Sequence, residues 1–306
     1  MPDIELAAEG VQASVATEGG VLWRFLARVD GVSIPLMRLP APGKQRRALS
    51  SACFPLVPFG NRVAGNRFMF EGRAYELTPN VAGDEHYLHG DGWLSDWSIL
   101  DRSDDRVILE FRQASPRSPY AYRARQEIRV SLNTLWLTLE ATNTGDAALP
   151  FGLGWHPFFP LTDAATLRAP AARYWTEGEG FLPDENLAVP PPLDFRRAKI
   201  LPRRWTNHGF EGWDGTADVV WPERRLGLTI ETEPLLSRYF LFLSDPAFDP
   251  AYRYDFFCLE PMSHSANGHN LGDGGGLTVL RPGEAMRRSA RFTWFRTGDI
   301  TMRHER

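Results

Sequence analysis

Punctuation constrains this chain more than any other feature. Across its 306 residues short apolar or alternating runs recur, each closed by turn-forming residues, and helical periodicity is scarce. Ile4–Ala8, Val11–Thr17 and Val21–Val29 are separated or closed by Glu-Gly, Gly-Gly and Asp-Gly pairs. Arg67–Leu77 reads as a hairpin, with Phe68, Phe70, Tyr75 and Leu77 flanking Glu71-Gly72. Trp97–Asp101 and Arg106–Gln113 flank Arg102–Asp105, and Glu127–Leu132 and Leu135–Thr142 flank Asn133-Thr134. Asn143–Asp146 is a further turn. Ala217–Trp221, Leu226–Glu231, Tyr239–Leu243, Phe256–Leu259, Leu277–Leu280 and Arg288–Phe295 complete the set. Short strands at this spacing predict an all-β sandwich or barrel. Between Leu161 and Pro202 the pattern dissolves into polar, proline-rich sequence that includes Pro190–Pro192. Strands of the same character resume beyond it, so residues 1–306 read as a single domain with a long surface excursion. The basic cluster Lys44, Arg46 and Arg47 reads as a solvated loop.

Composition narrows the function classes. Hydrophobic residues are 43% and charged residues 24%, ordinary for a soluble protein, and the net charge of −4 argues against nucleic-acid or anionic-membrane partners. Cys53 and Cys258 lie far apart with no CxxC spacing, which favours a reducing cytoplasm over a secreted disulfide scaffold. The N-terminus carries acids where a signal peptide has basic residues, and no apolar run approaches the roughly 20 residues that span a bilayer. The expectation is a cytoplasmic protein.

Phe151–Pro160 is the most unusual stretch. As a strand of period two it sets Phe151, Leu153 and Trp155 on one face and Gly152, Gly154 and His156 on the other. Two glycines on one face imply that something approaches the backbone closely. Pro157 then stops the ladder. This is either a glycine-softened core strand or one that presents His156 to a site. Glu260 occupies an equivalent place, ending the apolar strand 255–260 just before Pro261. Two such strand ends at one rim would set a carboxylate against an imidazole, a pairing suited to removing one proton and delivering another. Desolvation in a cleft would strengthen Glu260 as a base. Asn61-Arg62, in a loop braced by proline and glycine, either caps the sheet edge or offers donors to hydroxyl and carbonyl oxygens. His86 and His89 lie in the glycine-rich segment 86–93.

His86, His89, His156 and Glu260 also form a loose metal-ligand inventory, but HxxH outside a helix is not a zinc spacing, and the expectation is no metal. A serine hydrolase elbow, a P-loop and a dinucleotide fingerprint are absent.

Read together, these segments resemble the aldose 1-epimerase (galactose mutarotase) family. Asn61–Phe68 resembles its N-R-I-A-x-G-x-F segment, with Asn66 in place of glycine. Leu88–Gly90 resembles its L-H-G loop, Gly154–Phe158 its G-x-H-P-Y/F strand end, and Leu259–Met262, with Asn270 downstream, its L-E-x segment. Pro282–Glu284 is similar to the P-G-E turn before its last strand. The resemblance spans nearly the whole chain. It implies a large antiparallel β-sandwich with an open cleft on one sheet and no cofactor. It also implies roles: Glu260 as general base, His156 as general acid, and Asn61, Arg62 and His89 as sugar ligands, the last two near the ring oxygen and C1 hydroxyl. One departure stands out. The family's D-H/N-x-F segment is here Asn207–Phe210, so Asn207 replaces a hydroxyl-binding aspartate. Asp214 is the candidate to restore the charge. Trp213 either stacks on a sugar face or belongs to the core or rim.

The expected activity is interconversion of the anomers of a free aldose by acid–base ring opening. A hexose 6-phosphate epimerase, with Arg46-Arg47 or Arg203-Arg204 binding phosphate, is one alternative. A non-catalytic carbohydrate-binding or sensing protein is the other. A glycosidase would need a second placed carboxylate. The expected partner is a small sugar, and the expected state a monomer or weak homodimer.

Overall fold

A computed structural model describes residues 3–40, 43, 45–115 and 118–298; Lys44 lies outside them. Two large antiparallel sheets face each other. In the first, spatial order runs Ile4–Ala8, Val11–Val15, Leu22–Val29, Cys53–Leu56, Gly154–Pro160, Phe256–Met262, Arg238–Leu243, Thr206–Glu211, Arg173–Glu177 and Pro183–Ala188, with Val32–Pro35 paired to the third. In the second it runs Ser98–Arg102, Arg106–Gln113, Tyr122–Ser131, Thr134–Asn143, Ala285–Arg296, Leu226–Glu233, Thr216–Trp221, Thr166–Arg168 and Lys199–Ile200. Every described helical piece is a three-residue 3-10 turn. The all-β antiparallel sandwich is therefore the fold.

Alternation builds the second sheet. Leu135, Leu137, Leu139 and Ala141 turn inward from one strand while Thr134, Trp136, Thr138 and Glu140 stay half-buried. The central strands of the first sheet behave differently: Cys53–Leu56 and Gly154–Pro160 are buried at every position. One face, with Trp155, Phe159, Phe257, Leu259 and Leu241, joins the core between the sheets. The opposite face, with Phe54, Phe158, Phe240, Cys258 and Met262, forms a second apolar cluster under loops that arch over the sheet. A strand covered on both sides reads as a continuous apolar run, which is why these strands lack clean alternation.

The hairpins expected around Glu71-Gly72, 102–105 and Asn133-Thr134 all form, with Phe68 opposite Tyr75 in the first. Three expectations are corrected. The segment 161–202 carries four strands, Thr166–Arg168, Arg173–Glu177, Pro183–Ala188 and Lys199–Ile200. They are short, partly exposed strands near sheet edges, so neither burial nor alternation marks them. Residues 151–160 are not one strand either: Leu149–Phe151 pairs with Thr278–Leu280, and the chain enters the first sheet only at Gly154. Pro157 does not end the ladder. The strand runs on to Pro160, and the next amide, Phe158 N–H, finds the Ala52 carbonyl at 2.9 Å.

The two glycines are explained by the chain itself. A Cβ on Gly152 would lie 2.2 Å from Nδ1 of His264, and one on Gly154 would lie 2.5 Å from the Pro261 carbonyl oxygen. Backbone cannot yield as a side chain can. Gly154→Ala is therefore expected to cost about 1–3 kcal/mol through overpacking, read as a lowered urea midpoint. An unchanged midpoint would show that the Glu260 strand can shift.

Candidate active site

Strand register makes the central pair. Gly154 lies opposite Met262 and Phe158 opposite Cys258, so the position directly across from His156 is Glu260. Facing side chains at such positions are the closest in a sheet. His156 Nε2 approaches Glu260 Oε1 to 3.2 Å, with both residues buried. The imidazole is clamped between rings, stacked 4.5 Å from that of Phe54 and tilted by 33° against that of Phe158 at 4.6 Å. His156 Nδ1 and Glu260 Oε2 are buried without a hydrogen-bond partner. Unsatisfied buried polar atoms are rare in folded proteins and call for a functional reason.

Burial dominates the electrostatics here. It pushes His156 down to about 3, with the Arg38 guanidinium acting in the same direction, and it pushes Glu260 well above the usual carboxylate range against the opposing pull of Arg62. A dry site disfavours every charge. Burial therefore favours the neutral form of both groups, and the two titrate as a coupled unit.

Two loops complete the rim. Asn61 and His89 both adopt left-handed backbone, at φ 61° and 60°. They bind each other reciprocally: Asn61 N–H donates to His89 Nδ1 and His89 N–H to the Asn61 carbonyl, both at 2.9 Å. Gly90 lets the second loop pass, because a Cβ there would sit 2.2 Å from the Val57 carbonyl oxygen. Arg62 is braced by Asp84, which accepts from Nε at 3.0 Å and from Nη2 at 2.8 Å. Its guanidinium also lies over the Phe181 ring at 5.1 Å.

These groups line a cleft of about 830 Å³. Asn61, Arg62, His89, His156, Asn207 and Glu260 all face it. Trp213 and Asp214 do not, which corrects that part of the expectation. Trp213 is 2% exposed and donates from Nε1 to the Thr216 carbonyl, packed edge-on against Tyr239 on the core side. Asp214 caps Thr216 N–H and reaches Arg168 at 3.7 Å, at the far end of the sheet.

Metal binding suits the cluster poorly. His89, His156 and Glu260 bring donor atoms within 4.8 Å of one another, while His86 accepts from Gly65 N–H instead. However, the bond from Asn61 N–H occupies His89 Nδ1, so the neutral ring carries its proton on Nε2. A ligand nitrogen needs a free lone pair there. The arrangement favours a hydrogen-bond donor to oxygen.

The family model for aldose 1-epimerase matches residues 2–293. The chain belongs to that family. Escherichia coli K12 protein YphB is 45% identical over 282 residues, covering 92% of this aldose 1-epimerase family chain and 94% of YphB. A crystal structure of a candidate aldose 1-epimerase from E. coli K12 superposes with a TM-score of 0.91 at 42% identity, covering 96% of this chain and 99% of that one. The galactose 1-epimerase structure from Lactobacillus acidophilus NCFM shares the fold at a TM-score of 0.77 and 19% identity, with 96% and 94% coverage.

Several cleft residues of this family member escaped the sequence. Arg38 is wedged over Phe158 at 3.7 Å and Phe256 at 4.4 Å, its Nη2 donating to the Leu49 and Ser51 carbonyls. Its burial lowers it to about 10. Phe181, Trp205 and Phe248 form an aromatic wall with ring separations of 4.9–5.7 Å. Trp205 alone had a local signal, since it precedes Asn207 by two and shares its face. The arginines considered for phosphate lie elsewhere. Arg46 pairs with Asp3, Arg47 with Gln45, and Arg203 with Asp163; none of them, nor Arg204, lines the cleft. No described helix is long and apolar enough to cross a membrane.

Proposed function

We propose that this protein is an aldose 1-epimerase acting on a free sugar. One observation carries the reading: a carboxylate and an imidazole, buried and partly unsatisfied, meet at 3.2 Å on the floor of a cleft rimmed by donors. The two oxygens of a hemiacetal share one carbon, so the groups that exchange protons with them must be neighbours. Glu260 removes the C1 hydroxyl proton while His156 protonates the ring oxygen, and the C1–O5 bond opens. The aldehyde turns about C1–C2. Closure on its other face returns the proton from Glu260 to O1 while His156 takes the one on O5. The ion pair and the neutral pair are thus the two ends of one half-reaction, and one shared proton serves both directions.

His89 Nε2–H and Arg62 steady the ring oxygen and C1 hydroxyl, with Asn61 behind them. Because the pair needs one proton, the rate should follow a bell-shaped pH profile. The acid limb should lie below the ordinary histidine range, since His156 is depressed, and the alkaline limb above the ordinary carboxylate range. An acid limb at or above the ordinary histidine range, or an alkaline limb at or below the ordinary carboxylate range, would contradict this.

Polarimetry of freshly dissolved single anomers tests the reading. Catalytic amounts of protein should speed the approach to equilibrium for at least one free aldose and favour it over its 6-phosphate. A preference for the phosphorylated sugar would support the hexose 6-phosphate alternative. Binding without acceleration would support the non-catalytic one.

A further inference from the structure

Asn207 stands where relatives are expected to carry a charged acceptor, and the structure shows what surrounds it. It lies on Thr206–Glu211, is 7% exposed and lines the cleft. Its Nδ2 donates to Oε2 of Glu177, the last residue of Arg173–Glu177 in the neighbouring strand. Trp205 Nε1–H donates to both oxygens of the same carboxylate at 3.1 Å. Glu177 itself does not line the cleft. No described residue donates to Asn207 Oδ1.

We infer that Glu177 is a positioning residue that fixes the Asn207 amide with its carbonyl oxygen free for the sugar. The chemistry leaves one orientation. An ionised carboxylate only accepts, so the amide must turn its NH2 toward Glu177. Oδ1, on the opposite arm of a planar group, is left as the acceptor. Trp205 anchors the carboxylate so that it cannot rotate away. Position 207 thereby keeps the acceptor role of an aspartate without placing a charge in the cleft, and the charge sits one layer behind. Such a site selects a free hydroxyl, which can donate. It rejects the deoxy sugar, which leaves Oδ1 unmatched, and an anionic or acylated substituent, which brings only acceptors.

This inference rests on the aldose reading above, and a double-mutant cycle separates the two. In N207D two carboxylates face each other with no donor between them. That variant should melt lower than the wild type and show KM raised about 10-fold or more, with kcat changed less. Both defects should ease as the pH falls and the pair shares a proton. Adding Glu177→Gln supplies an NH2 for the new carboxylate at position 207, and the N207D/E177Q protein should recover melting temperature and bring KM within about threefold of wild type. E177Q alone frees the amide to flip and should raise KM. The inference is overturned if N207D melts and binds like the wild type, or if the double variant is no better than N207D. A wild-type protein that accelerates no anomer exchange would refute the aldose reading instead, and the melting cycle without sugar would still decide the amide orientation.

Discussion

Glu260→Gln is expected to slow anomer exchange about 10²–10⁴-fold, the range for losing one positioned proton-transfer group. Gln keeps the shape and can still meet His156 Nε2, so the fold should survive and any loss is chemical. Glu260 is buried beside apolar neighbours such as Cys258 and Phe240, so no other side chain on that strand face can take over the carboxylate's role. His156→Gln should cost a similar amount, and the double variant little more than either single one, because the two side chains act as a unit. Additive losses would show that each works alone. The comparison is made on kcat for the best aldose, with melting temperatures matched to exclude unfolding.

The second large effect is on stability in acid. His264, which is buried, and His269, which is half-buried, lie outside the proton-transfer pair. His264 Nε2 accepts from Gly60 N–H at 2.9 Å, and His269 Nε2 meets the Tyr120 hydroxyl at 2.8 Å. Burial holds His264 at about 4 and His269 at about 3. Both folded values lie below that of the unfolded chain, so the unfolded ensemble binds protons that the native state refuses. Above pH 6.5 neither state is charged and the groups contribute nothing. As the pH falls through 6.5 toward 4, stability drops, by about 2 kcal/mol per histidine at pH 5. Two such groups remove a large part of an ordinary domain's 5–15 kcal/mol. The urea midpoint should therefore fall steeply between pH 7 and pH 5, and His89, also depressed chiefly by burial, should add to the slope. A midpoint that stays level over that window would mean these rings take up protons in the folded protein.

How far the sequence foretold this site follows from what holds each residue. His156, Glu260, Asn61 and His89 sit beside prolines, glycines or turn residues, because each lies where backbone approaches backbone. Gly154 against Pro261 and Gly90 against Val57 are the physical cause, and glycine is visible in a sequence. Their direct juxtaposition was not visible. It follows from the register of Gly154–Pro160 against Phe256–Met262, strands about a hundred residues apart. Glu177 and Phe181 were lost for another reason. Their segment makes short, partly exposed strands joined by the turn Glu179–Phe181, whose Gly180 and Phe181 line the cleft, and neither periodicity nor burial marks such a turn. Trp213 misled because an indole beside an aspartate suits a sugar platform as well as a core corner. The turn at Gly212 and Gly215 sends it to the core.

Turnover on this reading needs one proton passing through one pair to one hemiacetal. Magnetisation-transfer NMR reads this most directly, by saturating one anomeric proton of an equilibrated aldose and following the other. The wild-type protein should transfer saturation between anomers within the lifetime of the label for at least one free aldose, and Glu260→Gln should return the exchange to its rate in buffer. Exchange at the buffer rate with wild-type protein across the whole aldose panel, or undiminished exchange with Glu260→Gln, would contradict it.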